Sequence, residues 1–399
     1  MSTLKSIGTP SWPIRGVRAG AVASLGAALL VACSNSSKQQ QPSSGSTPFV
    51  FQALDLRQQD ADGKLQWSVN SPEARYDLNR RLALARNLKG EIHANGRPLY
   101  RLAASHGTVL SDGEVIQLEG QVRIERLAQD PVIIEASRMR WYPRQQRIEL
   151  DRRAQAMDQD LRLTAERATL LFDQDLLQLR GKPTLSARHT ALGVGLNQIK
   201  VERLDWSPGS GVLSAQGPVT ALSGGTGQPQ RSLSAVGLAG NTLERRLTLQ
   251  GPVQVSAPAQ SAWLKARSST IDLATNALSS NAPFEAGVGP LLITGHALRL
   301  NLSSNLAEIT AGCRLRQPDL SLQAQRCSWN WQNERIAAAG SVLLRRQANQ
   351  QTTRAERLNG RIGAHGLLVF SAPGSRVRSS LVLPPTGAAR QPRPSAVRW

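Results

Sequence analysis

Residues 161–188 read LRLTAERATLLFDQDLLQLRGKPTLSAR. Two short runs flank the polar turn Asp173-Gln174-Asp175. In the second run Leu177, Leu179, Gly181, Pro183 and Leu185 alternate with Gln178, Arg180, Lys182 and Thr184. A period of two is that of a half-buried β-strand, not of a helix. Gly181 lies sixteen residues after Ala165, and that spacing recurs from Ala104 to Gly120, Val201 to Gly217, Ala235 to Gly251, Ala324 to Gly340 and Ala74 to Gly90. Weaker copies begin at Ala136, Ala266, Gly295 and Ala355, which makes ten copies at intervals of 29–36 residues. Repeats of this length imply stacked supersecondary units, none of which buries its apolar face alone.

The copies agree in detail. Two residues before the landmark stand Ile134, Leu163, Ile199, Leu233, Leu264, Ile293 and Leu322. Twelve after it stand Ile116, Ile148, Leu177, Leu213, Leu247, Leu278, Ile336 and Leu367. Eighteen after it stand Ile92, Val122, Val219, Val253, Phe284, Cys313 and Val342. The inward positions are even offsets before the landmark and odd ones just after it, as at Met139 and Trp141. A slip of one residue is what a β-bulge produces, so each unit holds a bent strand at the corner of a curved sheet. Arg138, Arg167, Arg203, Arg326 and Arg357 sit at the slip, pointing outward. The fold class expected is all-β: stacked, bent antiparallel strands built from these repeats.

The chain of 399 residues has room for two domains or one long array. Its formal charge is +20. That balance points to an anionic partner or to arginines that only solvate outer sheet faces. Lys5, Arg15 and Arg18 open the chain, and Ala19 to Leu30 is an apolar run too short to span a bilayer comfortably. It ends in Leu30-Val31-Ala32-Cys33, which resembles the lipobox of bacterial lipoproteins. The resemblance implies a signal peptide over 1–32 and lipid attachment at Cys33; the alternative is an ordinary export signal with an incidental Cys. Cleavage there would remove three of the 48 Lys and Arg residues against 28 Asp and Glu, leaving +17. Export makes nucleic acid an unsuitable partner and leaves anionic lipids or phosphorylated glycolipids. Residues 33–48 read as a flexible tether from the lipidated Cys, and 383–399 as a disordered basic tail.

The stretch from Phe49 to Asp77, FVFQALDLRQQDADGKLQWSVNSPEARYD, holds two alternating runs around Asp60-Ala61-Asp62-Gly63, a hairpin signature. With the Trp after the turn and Ala74-Arg75-Tyr76, it resembles the start of the LptC family, the periplasmic component of lipopolysaccharide export. The later repeats resemble the wider LptC/LptA/OstA superfamily. This implies an elongated β-jellyroll or β-taco, LptC-like over 49–190 and built of further OstA-like repeats over 191–382. Extra residues at Ala187–Asn197 and Ser223–Arg231 mark either a domain boundary or two loops in a continuous array. The chain departs from the family in its length and in carrying a lipobox instead of a membrane-spanning helix.

No catalytic constellation, metal site or cofactor loop is read; the five His residues are scattered. Cys313 and Cys327 fall on inward positions of neighbouring strands, where a disulfide and two buried thiols fit equally. Trp141, Trp206 and Trp329 recur five residues after their landmarks, as core or as groove lining. The expected function is binding without chemistry. Inward columns that splay into a trough would shield acyl chains of lipopolysaccharide or a similar glycolipid and hand it on. Val122, Ile124, Ile134, Met139, Trp141, Ile148, Leu150, Leu163, Leu177 and Leu179 are the groove candidates, and Arg138 and Arg167 the headgroup candidates. The resemblance implies other Lpt-type β-jellyroll proteins and an inner-membrane ABC transporter complex as partners. It also implies the periplasmic side of the inner membrane as location, with an outer-membrane lipoprotein as the alternative. The competing function is an envelope lipoprotein that scaffolds partners through its sheet edges.

Overall fold

The computed structural model describes residues 49–188, 198–223, 230–301, 303–348, 350–362 and 366–382. Cys33, the export signal, the tether and the basic tail lie outside the described residues. All described residues belong to one unit that begins at Ser46. They form a single antiparallel sheet of 30 strands, with three short 3-10 turns and no α-helix among the described residues.

Each strand runs through a bend. Pairing registers shift between Glu119 and Val122, between Glu135 and Arg138, and between Ala165 and Arg167. They shift again at Gln250/Val253, Thr294/His296 and Ala339/Val342. The shifts at Glu135/Arg138, Ala165/Arg167 and Thr294/His296 are the slips expected after the landmarks, and the other three bracket the glycines Gly120, Gly251 and Gly340. Where no bulge absorbs the bend, the strand breaks, as between Leu176–Arg180 and Thr184–Ala187. Gly181 there takes φ +76° and Gly120, at an equivalent bend, φ +71°, a region that costs glycine nothing. The weak copy at Ala136 reaches Arg152 instead, and Arg152 and Arg153 both adopt positive φ. A bulge of two left-handed residues therefore replaces the glycine.

The bends divide the sheet into two walls. The first wall holds the strand halves before the landmarks and after the glycines; the second wall holds the halves between. The sixteen-residue spacing is one excursion from bend, along the second wall, and back to the next bend. Turns at the far ends of the walls form two rims. Pairing continues past both long loops, through Thr184↔Lys200 and Leu177↔Trp206, then through Thr220↔Ser234 and Leu213↔Gly240.

The inward columns are buried. Ile134, Leu163, Ile199, Leu233 and Leu322 are at most 2% exposed. Leu367 departs from its column at 73% exposure, because Leu368 and Phe370 of the strand that begins after it take the inward positions instead. The first copy is also framed differently. Gly90 lies within the first wall, between Val69 and Leu102. The bend falls earlier, at Arg86 and Asn87, with Asn87 at φ +50°. Ser71 stands at that bend, its Oγ donating to the Arg86 carbonyl at 2.6 Å. The hairpin before it forms as expected: Leu54–Gln59 pairs with Leu65–Ser71, and Asp60 Oδ1 accepts the N–H of Asp62 and Lys64.

Candidate functional site

The space between the walls differs along the sheet. In the first half large rings occupy most of it, and a cavity of about 340 Å³ with a largely polar lining remains at the rim beside Trp67, Trp141 and Phe172. Trp67 of the first wall meets Trp141 of the second edge-on, 5.2 Å between ring centroids. Trp141 meets Phe172 at 6.4 Å, and Phe172 meets Tyr100 at 6.2 Å. Such large rings fill the gap that the bend opens. The ten groove candidates lie in this half, and each is at most 1% exposed. They face the space between the walls from both sides and are buried in it.

The rims of this half are tied together. Asp175, in a turn of the second wall, accepts Tyr100 Oη at 2.5 Å and Arg126 Nε and Nη2 at 3.1 Å each, both donors coming from the first wall. Burial, with the Asp175 charge beside it, holds the Tyr100 phenol far above its ordinary pKa. A Cβ on Gly209 would collide with the Asp175 carboxylate and the Arg126 guanidinium, so the neighbouring turn can close over them. A second tie joins Arg245 Nη2 of the second wall to Asp160 Oδ1 of the first at 2.7 Å. Beside it Asp158 accepts the N–H of Asp160 and Leu161, and burial raises its carboxyl above the usual range. Asp175→Ala is expected to lower stability by about 3 kcal/mol, because it leaves the Arg126 guanidinium partly buried without a counter-charge. Thermal denaturation checks this; Asp175→Asn, which keeps an acceptor for Tyr100, should lose less.

Beyond Arg245 the walls part. A cavity of about 570 Å³ opens between them, lined by Phe284, Ile293, Leu298, Leu300, Ile309 and Trp329 among others. Gln260, Asn305, Trp331 and Glu334 lie at its rims. Small residues of its lining, Ala257, Ala262, Ala286, Gly287 and Ala307, leave space that larger side chains would fill. Cys313 and Cys327 form a disulfide across the bend, with Cα atoms 5.9 Å apart, and Cys327 contributes to the cavity floor. This resolves the open choice between a bridge and two thiols.

The recurring tryptophans divide along the same line. Trp141 and Trp206 are core at 0% and 1% exposure, whereas Trp329 is half-buried and lines the cavity. Arg138 and Arg167 stand beside the bend, on the outer face of the second wall, and not at a rim. Arg138 pairs with Asp151 at 3.2 Å, and Arg167 is exposed. Among the described residues no group of three or more His, Cys, Asp or Glu is placed to hold a metal ion. The cavity therefore offers apolar surface with a few polar groups at its mouth, suited to an amphipathic ligand whose tail is buried and whose head stays in water.

Residues 19–185 match the family described as lipopolysaccharide-assembly, LptC-related. The match takes in the Phe49 hairpin and the repeats up to the first long loop, the stretch whose sequence resembles that family. Among solved structures the chain resembles LptH of Pseudomonas aeruginosa, described as the LptA-homologous periplasmic component of the conserved lipopolysaccharide transport device. Identity is 15%, the TM-score is 0.25, and the likeness covers 29% of this chain and 82% of that one. No curated protein matches the chain.

Proposed function

We propose that the chain binds the acyl chains of lipopolysaccharide, or of a similar multi-acyl glycolipid, in the cavity between the walls of its second half. It would carry them across the periplasm as a component of lipopolysaccharide transport. The family match over residues 19–185 supports the pathway. The observation that carries the binding is the apolar cavity around Leu300 and Trp329. Each CH₂ moved from water into it contributes ~0.8 kcal/mol, so ten methylenes supply about 8 kcal/mol without any covalent step. The cargo enters and leaves by partition, and hand-over to the next protein requires only a continuous apolar path.

In this reading Cys33 carries the lipid that anchors the chain, on the periplasmic side of the inner membrane. Residues 33–48 tether the sheet to it, residues 49–190 form the LptC-like part and residues 191–382 extend it. The ten packed residues from Val122 to Leu179 are the closed continuation of the trough, held shut by the Asp175 and Asp160 ties. The end strands offer edges for other Lpt-type β-jellyroll proteins, including those that work with an inner-membrane ABC transporter; at one end Phe49 and Val50 are 54% and 62% exposed. Lipid extraction of the purified protein followed by mass spectrometry tests the cargo. A multi-acyl glycolipid is expected in the extract. Its absence from protein isolated without detergent from cells that make it would count against the reading.

A further inference from the structure

The two halves of the sheet differ in how their arginines are used. In the first half they are largely spent on carboxylates: Arg123 on Glu135 at 3.1 Å, Arg138 and Arg140 on Asp151 at 3.2 Å, Arg180 on Asp205 at 2.7 Å. From residue 291 to 382 the sequence has twelve Arg and no Lys against four Asp and Glu. Five of these arginines share one face. On the first wall Cys313, Leu315, Val342, Leu344 and Ala355 point inward and are buried. The alternate residues point out. One cross-strand row runs Arg314, Gln323, Leu343, Arg354, Arg378, and the next runs Arg316, Ser321, Arg345, Thr352, Ser380. Arg314, Arg316, Arg345, Arg354 and Arg378 are all exposed, and among the described residues none of them is in an ion pair. No carboxylate stands among these ten positions; Glu285 lies in the first row two strands beyond Arg314. Arg354 and Arg378 are even directly opposed across two strands. Like charges so placed destabilise a sheet.

We propose that this face docks on an anionic lipid bilayer. The five guanidiniums span five strands, about 19 Å at ~4.8 Å per strand. No cavity encloses them, so they do not converge on one small anion. A spread, shallow array matches the two-dimensional array of phosphates on a membrane surface, each within hydrogen-bond reach of a planar fork. The residues that flank the last strand, Arg378–Ser380, add exposed apolar groups near the charge: Val377, Leu381 and Val382 are 42%, 54% and 55% exposed. Side chains of that kind enter the headgroup boundary while arginines hold the phosphates. The contact is separate from the cavity, to which the strand halves that carry these rows contribute only Leu315, from their inward face.

Vesicle flotation tests it, using the full chain with Cys33→Ser so that no acyl group attaches. Vesicles of phosphatidylcholine alone are compared with vesicles in which part is replaced by phosphatidylglycerol. Binding is expected only to the latter and should weaken at high salt. Each arginine near an anionic surface strengthens binding about fivefold, so Arg345→Gln, Arg354→Gln and Arg378→Gln together should weaken it roughly a hundredfold. The melting temperature should not fall, since all three are exposed and the change removes the repulsion between Arg354 and Arg378. The control is Arg162→Gln, Arg203→Gln and Arg267→Gln, which removes the same charge elsewhere and should weaken binding by less than about fivefold. The proposal is overturned by equal binding to both vesicles or by equal loss in both triple variants. Binding of a soluble polyanion such as heparin with no vesicle binding would also overturn it.

Discussion

Ile134→Asp is expected to unfold the first half of the sheet. Ile134 is 1% exposed and sits between Ile124 and Ala156 on neighbouring strands. Its replacement loses the transfer energy of the side chain, about 2–3 kcal/mol, and places a carboxylate where no donor reaches it. The two effects act together, and the loss should exceed about 4 kcal/mol. Chemical denaturation read by tryptophan fluorescence measures it, because Trp67 and Trp141 report on the same core. A variant as stable as the parent would mean that water already reaches Ile134 and that the column is open, not packed. Ile134→Val, which leaves only a small void, should cost about 1 kcal/mol and keep the fold.

Leu300→Asp is expected to do the reverse, keeping the fold and losing the lipid. Leu300 lies at the same offset in its repeat as Trp141, but it is half-buried and faces the cavity. A carboxylate there stays hydrated through the open mouth, so stability should fall by little more than about 1 kcal/mol. An acyl chain seated against it would have to strip that water. The penalty is several kcal/mol, which is more than a thousandfold in affinity. The ratio of co-purified lipid to protein, set beside the melting temperature, separates the two effects. Loss of lipid with an unchanged melting temperature is the expected result. Retention of lipid would place the acyl chains elsewhere.

Much of the architecture was legible in the sequence because a bent strand leaves a periodic trace. The period of two marked the strands, and the change of parity after each landmark marked the bends. The structure has both, with register shifts at Glu135/Arg138 and Ala165/Arg167. Ala74 misframed the first copy because a small residue also follows the bend there, while the bend position itself is taken by Asn87 instead of glycine. The distinction between packed column and open cavity was not carried by alternation. It depends on which side chains meet across the walls, as Trp67 meets Trp141, and that is read only once the facing wall is known. The Asp175 tie joins a turn residue to Arg126, 49 positions away, and in sequence both read as ordinary solvated charges. Arg138 and Arg167 are headgroup candidates in the sequence because they point outward. The slip that they mark is the bend, which lies at the opposite end of the walls from the rims.

Site-specific photo-crosslinking in growing cells tests the binding of lipid between the walls most directly. Trp141 and Trp329 occupy the same place in their repeats, one fully buried in the first half and one half-buried in the apolar cavity of the second, and an aromatic photoprobe replaces either with little change in bulk. A glycolipid adduct is expected from position 329 and none from position 141. Adducts of equal yield from both positions, or none from position 329 in a folded protein, would contradict it.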